Sequence, residues 1–294
     1  MSQALRVAWA IRLLPRRALS RAVGWLTGLH APRWMLDVAI RRYARAFGAD
    51  PSDAAAPFGS HATFRAFFTR ALRDGARPLP ADPAAIASPC DGRVVLGSAI
   101  EAGTLLQAKG VPYSVAGLLG DGTPGAGDAA TRFAGGQALT LYLAPGDYHR
   151  FHAPFDGVVE EARHLPGDLW PVNAQAVAGV PGLFARNERV ALLGRTRAGQ
   201  AFAFVPVGAL NVGSIVMHAL PGLATNRRDA RARTHVGLQR PVVRGEELGW
   251  FAMGSSIVLL LGPGPARLDA PAPGTPLRMG QPLGRLAPAP AHGA

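Results

Sequence analysis

Ser88-Pro-Cys-Asp-Gly-Arg-Val-Val95 recurs in altered form as Ala153-Pro-Phe-Asp-Gly-Val-Val-Glu160. Each copy reads as an Asp-Gly turn that feeds a strand. A second pair, Gly245-Glu-Glu-Leu-Gly249 and Gly280-Gln-Pro-Leu-Gly284, repeats further along. Around these pairs, from about residue 85, short Val, Leu and Phe runs alternate with Gly, Pro and Asp, the texture of strands joined by tight turns. The pairs predict a closed or sandwiched β core built from similar halves.

Upstream the texture is helical. Residues 4–30 read as an amphipathic helix interrupted at Pro15, because proline removes a backbone donor. Val7, Ile11, Ala18, Trp25 and Leu29 fall on one face, and Arg6, Arg12, Arg16, Arg17 and Arg21 in the opposite half. Tryptophan opposite an arginine-rich face is the pattern of a helix lying in a membrane interface; a surface helix packed on its own domain is the blander reading. Residues 33–47 and 63–73 are two further predicted helices, the second with Phe64, Phe67, Phe68 and Leu72 at helical spacing. The fold class expected is therefore α+β, mostly β. Its parts are a helical, membrane-associating region over 1–75, a β-rich core over 76–286 that resembles the barrel-sandwich hybrids of biotinyl and lipoyl domains, and a disordered tail over 287–294.

Composition narrows the function classes. The chain has 294 residues, 48% of them hydrophobic, and a net charge of +12. Lys109 is the one lysine, so the basic excess is arginine. Such an excess calls for an anionic partner. No zinc finger, RNA-binding sheet motif or basic run of the nucleic-acid type is present, so a membrane surface leads and no nucleic acid is expected. One cysteine, Cys90, excludes an internal disulfide framework. No run of eighteen apolar residues marks a spanning helix, and Arg12, Arg16 and Arg17 break any signal-peptide core.

Three segments could carry chemistry. In Tyr148-His149-Arg150-Phe151-His152 the two histidines are one structural and one surface residue on the bland reading. On the functional one they are metal ligands short of a third. Asp91 precedes a glycine, as turn-forming aspartates do, and Asp156 in the repeat copy does the same. Gly254-Ser255 stands just before an apolar strand at 257–261, which suits a simple tight turn. Together Asp, His and Ser fit a hydrolase-type triad, but no Gly-x-Ser-x-Gly elbow is present and spacing does not bring the three together. A serine nucleophile with a histidine base is as far as the residues lead.

The same segments resemble the phosphatidylserine decarboxylase family in order along nearly the whole chain. Thr63-Phe-Arg-Ala-Phe-Phe-Thr-Arg-Ala-Leu-Arg73 with Arg77-Pro78 is similar to its N-terminal signature, and Ser88-Pro-Cys-Asp-Gly92 to its Asp-Gly segment. Gln107-Ala-Lys-Gly110, Tyr113-Ser114, Asp147-Tyr-His-Arg-Phe-His-Ala-Pro154, Pro166-Gly-Asp-Leu-Trp-Pro-Val-Asn173, Leu183-Phe-Ala-Arg-Asn-Glu-Arg-Val190 and Val207-Gly208 to Val212-Gly-Ser214 follow. Gly249-Trp-Phe-Ala-Met-Gly-Ser-Ser256 stands at the family's Leu-Gly-Ser-Thr cleavage motif, with Met253 for its leucine and Ser256 for its threonine.

The resemblance implies two reactions at one site. Asp91, His152 and Ser255 would act as a self-cleaving triad, Asp91 orienting His152 and His152 taking the Ser255 proton. Cleavage at Gly254–Ser255 would leave a covalent pyruvoyl group at Ser255 and a long and a short chain that stay together as a heterodimer. The pyruvoyl carbonyl would then hold phosphatidylserine as a Schiff base, and His149 would protonate the carbon that loses carbon dioxide, giving phosphatidylethanolamine. No metal is implied. The implied setting is the anionic bacterial inner membrane, peripheral on the cytoplasmic face, with a homodimer of the processed unit left open. Two other classes stand beside this one. A zinc peptidase would use His149 and His152 as ligands, and a non-catalytic membrane-binding β module would keep Gly254–Ser255 as a turn.

Overall fold

The computed structural model describes residues 15–107, 110–124, 126–210, 214–223, 225–227, 230–252 and 255–286. Three helices come first: α1 (Arg16–Thr27), α2 (Arg33–Phe47) and the short α3 (Phe64–Phe68). Strands follow as β1 (Ala85–Ala87), β2 (Gly92–Ala99), β3 (Thr104–Gln107) and β4 (Val111–Ser114), then helix α4 (Val115–Leu119). Next come β5 (Gln137–Leu143), β6 (Arg150–His152) and β7 (Gly157–Leu165), then helices α5 (Ala174–Gly179) and α6 (Leu183–Arg186). The remaining strands are β8 (Arg189–Thr196), β9 (Ala201–Val207), β10 (Ile215–Met217), β11 (Arg233–Val242), β12 (Glu247–Phe251), β13 (Ser255–Leu261), β14 (Arg267–Leu268), β15 (Pro276–Leu277) and β16 (Pro282–Arg285). The α+β, mostly β expectation holds.

The main sheet has eight strands in the order β11-β7-β8-β9-β13-β5-β2-β15, and it is open at both ends rather than closed into a barrel. Its pairings are antiparallel. β13 lies inside it, paired on one side with β5 and on the other with β9. All its residues are buried, because both faces of the sheet are covered. Ile257, Leu259 and Leu261 enter one core with Cys90, Phe151, Phe251 and Leu283. Val258 and Leu260 enter a second core with Leu118, Val177 and Phe184 from the short helices. A continuous apolar run is what a strand buried on both faces requires.

The repeats seen in the sequence are real local structures. Gly92 and Gly157 each open a strand, and a Cβ on either would stand 2.5 or 2.6 Å from a neighbouring strand's carbonyl oxygen. Their use is close approach of backbones. Gly245 and Gly280 both take left-handed conformations, φ 86 and 88, ahead of β12 and β16.

Helix α2 matches its expected bounds. It buries Leu36 and Ile40 against Phe67 and ends at Gly48. The third helix is shorter than expected. Thr63 caps its start through Ala66 N–H at 3.0 Å, but the helix ends at Phe68. Leu72 bridges Ala54, and Arg73 N–H donates to the Asp53 carbonyl. Tertiary pairing with 53–55 overrides the helical spacing of Leu72.

Helix α1 starts after Pro15, as that proline suggests, and the part before it falls outside the described residues. Its two faces are reversed from the usual packing. Trp25 and Leu26 are 69% and 62% exposed, whereas the arginine side turns to the protein. Arg16 makes a two-toothed ion pair with Asp168, through Nε at 2.9 Å and Nη2 at 2.5 Å, and lies 4.0 Å over the Trp170 ring. Arg17 donates to the Arg227 carbonyl. Arg16 and Arg17, on the polar face in the sequence reading, thus bind the core and pin the helix to it. Asp168→Asn should loosen α1 and lower stability by about 1.5–3 kcal/mol, the range for hydrogen bonds to charged groups. Limited proteolysis near Thr27 against thermal melting checks it.

Candidate active site

The loop between β5 and β6 and the end of β12 bring the histidines and Ser255 to one end of the main sheet. β6 pairs with β12, with Glu247 opposite His152 and Trp250 opposite Arg150. Phe251 N–H donates to the His149 carbonyl at 2.9 Å. His149 thus stands where β12 leaves toward β13, and His152 stands three residues back along the ladder, about 10 Å by strand rise.

His149 is fully buried and tilted on Phe68, with ring centroids 4.0 Å apart. Its Nδ1 donates to the Asp147 carbonyl at 2.7 Å. That bond fixes the tautomer and leaves Nε2 as a bare lone pair, without a hydrogen-bond partner among the described residues. Burial pulls its pKa down to about 3, against a smaller upward pull from the Asp147 carbonyl, so the ring is neutral.

His152 is held differently. Its Nδ1 donates to the Gly245 carbonyl at 2.9 Å, and its Nε2 accepts from the Tyr148 hydroxyl at 3.0 Å. Burial is again the main cause of its lowered pKa, partly offset by the Gly245 carbonyl and by the Glu247 and Asp91 charges. The His152 N–H donates to the Pro89 carbonyl, two residues from Asp91.

Asp91 does not hydrogen-bond His152. Both its oxygens are taken by Arg77, through Nε at 2.9 Å and Nη2 at 2.6 Å, and one also accepts the Met279 N–H at 2.8 Å. Arg77 carries Asp53 on its remaining nitrogen, and Asp91, then Asp53, hold the guanidinium in its charged form. The repeat copy keeps the bland role: Asp156 accepts the Arg244 N–H at 2.8 Å. The expected orienting bond from Asp91 is therefore replaced by the Gly245 carbonyl, and Tyr148 is a partner that sequence reasoning missed.

Ser255 opens β13 opposite Leu143, with its hydroxyl fully buried and without a partner among the described residues. Ser256 is equally buried and unpartnered, opposite Tyr142 and Val207. Successive strand residues point to opposite faces. Ser255 therefore shares its face with Ile257, in the core that also holds Cys90 and Phe151, the immediate neighbours of Asp91 and His152. Ser256 faces the other core. Gly254 and Met253 lie outside the described residues.

The family model described as phosphatidylserine decarboxylase matches residues 64–285. The chain belongs to the phosphatidylserine decarboxylase family. A phosphatidylserine decarboxylase proenzyme of Anaeromyxobacter sp. (strain K) is 47% identical over 281 residues, covering 95% of this chain and 97% of that protein. Proteins of the same description from Halorhodospira halophila and Stutzerimonas stutzeri are 44% and 40% identical, covering 93% and 94% of this chain and 91% and 92% of their own lengths. The expected enzyme class, a carboxy-lyase made as a proenzyme, is borne out. Among the described residues no group of three or more His, Cys, Asp or Glu side chains is placed to hold a metal. His152 has both ring nitrogens engaged, and His149 packs on a phenyl ring.

Proposed function

We propose that the chain cleaves itself between Gly254 and Ser255, carries the resulting pyruvoyl group at residue 255, and converts phosphatidylserine to phosphatidylethanolamine. The observation that carries this reading is the Ser255 hydroxyl, fully buried and unpartnered at the head of an interior strand. Burying a hydroxyl without a hydrogen bond costs free energy, and of the two such hydroxyls at the head of β13, Ser255 is the one that faces the core holding Cys90 and Phe151.

His152 is the base in this reading. Its proton sits on Nδ1, its Nε2 lone pair is free to exchange the Tyr148 hydroxyl for Ser255, and it is neutral at ordinary pH. The Ser255 oxygen attacks the Gly254 carbonyl carbon, and the peptide C–N bond gives way to an ester with a free amine. Loss of the Ser255 α-proton then expels the Gly254 carboxylate and leaves a dehydroalanine end. Water hydrolyses its imine form to the keto group and ammonia. Asp91 favours the charged imidazole at a distance through its field, tempered by Arg77.

The pyruvoyl carbonyl supplies the electron sink that an amino-acid carboxylate needs before it can leave as carbon dioxide. The substrate amine must first lose a proton, and the vacated carbon must gain one. His149, whose Nε2 is bare beside the site, is the group we assign to carry that proton. Purified protein incubated with phosphatidylserine vesicles should release carbon dioxide and contain a short chain blocked to amino-terminal sequencing. An intact chain under those conditions would remove the self-cleavage reading.

The N-terminal region over 1–75 would hold this site to the anionic inner membrane from the cytoplasmic face, with the core over 76–286 above it. Trp25, Leu26, Leu29, Trp34, Met35 and Val38 on α1, α2 and their junction are exposed apolar side chains. No helix among the described residues is long and apolar enough to cross a membrane. Burying a large apolar side chain contributes about 1.5–3 kcal/mol. Trp25→Asp with Trp34→Asp should therefore lower flotation with phosphatidylserine vesicles at least tenfold while leaving chain cleavage intact.

A further inference from the structure

Beside the histidines, between the end of α2 and the start of β2, lies a cavity of about 290 Å³ with Arg70, Arg77, Arg93 and Arg278 in its wall. Four aspartates share that wall and balance its arginines in formal charge, but none of their carboxylates is in contact with Arg70. Asp53 and Asp91 are tied to Arg77. Asp50 accepts the Ser52 N–H, and Asp147 accepts the Ala144 N–H.

Arg70 is the unusual member. It is 6% exposed, and its Nε is buried without a hydrogen-bond partner among the described residues. Nη2 reaches the Asp50 carbonyl only at 3.5 Å, and the guanidinium lies 5.0 Å over the Phe67 ring. Burial pulls its pKa down, with Asp91, Tyr43 and Asp50 pulling the other way. A desolvated guanidinium without a carboxylate in contact is a place for an incoming anion. Arg93 and Arg278, both exposed, add charge to the same wall.

The cavity adjoins the reacting end of the sheet. Tyr148 lines it and holds His152.

We propose that this cavity is the subsite for the phosphodiester anion of the substrate headgroup, with Arg70 as its buried contact and Arg93 and Arg278 completing it. The inference rests on the reading of Ser255 given above. With the amine at residue 255, the phosphorus is four bonds from the nitrogen, through the two serine carbons and an oxygen. The substrate carboxylate is the wrong anion for the cavity, because guanidinium contacts would stabilise it in the ground state and oppose its loss. Free phosphate carries the same chemistry as the headgroup, so the test separates the two.

The full-length Ser255→Ala chain, which needs no turnover, is titrated calorimetrically with glycerophosphoserine and with inorganic phosphate. Glycerophosphoserine should bind more tightly, and Arg70→Gln or Arg278→Gln in that background should weaken it about tenfold, as loss of a charged hydrogen bond does. In the otherwise wild-type enzyme, Arg278→Gln and Arg93→Gln should raise KM for phosphatidylserine in phosphatidylcholine vesicles about tenfold with little change in kcat. Arg278 is exposed, so its variant reads out even where Arg70→Gln fails to fold. Unchanged glycerophosphoserine binding in Arg278→Gln, or equal affinity for inorganic phosphate, overturns the subsite. Failure of the wild-type chain to cleave, with binding intact in Ser255→Ala, overturns the Ser255 reading and leaves the anion site standing.

Discussion

Ser255→Ala should yield a single full-length chain that never acquires a blocked short fragment, with activity at background. It should also be at least as stable as the parent. The Ser255 hydroxyl is buried and unpartnered, so removing it relieves a desolvation cost of about 1–2 kcal/mol rather than breaking a bond. Loss of function with a gain in melting temperature is the pattern of a residue kept for chemistry. Ser256→Ala is the paired control. Its hydroxyl is just as buried, but it points into the other core. It should gain stability similarly and cleave normally. Intact mass and thermal melting of the two variants check both halves, and normal cleavage in Ser255→Ala would move the reacting residue elsewhere.

His149→Gln should cleave itself but decarboxylate slowly, by about 10²–10⁴-fold, the usual contribution of a positioned acid-base group. The substitution also has a stability signature. The His149 pKa is depressed from 6.5 to about 3 in the folded chain. Below 6.5 the unfolded chain takes up a proton that the folded chain refuses, so folding stability falls with pH until about 3. The slope from this one residue is about 1.4 kcal/mol per pH unit, and it vanishes above 6.5. His152, also depressed, adds to the same acid weakness. Urea unfolding of His149→Gln between pH 7 and 4 should show a flatter decline than the parent. An unchanged slope would mean that His149 is not a neutral buried imidazole.

Much of this was legible in the residues, and the exceptions share a cause. Helix α2 and the strand openings at Gly92 and Gly157 depend on local spacing and turn chemistry, which a sequence displays. The overrun of α3 came from a pairing with 53–55, ten and more residues away. The Arg77–Asp91 pair is of the same kind: with so many arginines in the chain, nothing local marks Arg77 as the partner. Tyr148 lay inside the double-histidine motif, four residues before His152, and that i to i+4 spacing was the one available hint. Several residues of the matched segments are scaffolding. Gln107 donates to the Val177 and Val180 carbonyls, and Asn187 joins Trp170 to Gly208. Burial of their polar groups, rather than reaction, accounts for their place beside the site.

The position of β13 has a consequence for the lifetime of the enzyme. Seven of its residues pair with β5 and six with β9, and the segments after it are woven into the strands at β1 and β2. If the chain is cut before Ser255 as proposed, the short chain could leave only by splitting the main sheet down its middle, which amounts to unfolding the protein. Fragments from different molecules should therefore not exchange, and isotope-labelled and unlabelled enzyme mixed together should keep their own short chains. A molecule whose reactive end is spoiled by a wrong turnover has no spare part to draw on. Each copy of the enzyme would then be armed once, and its replacement would require a newly made chain.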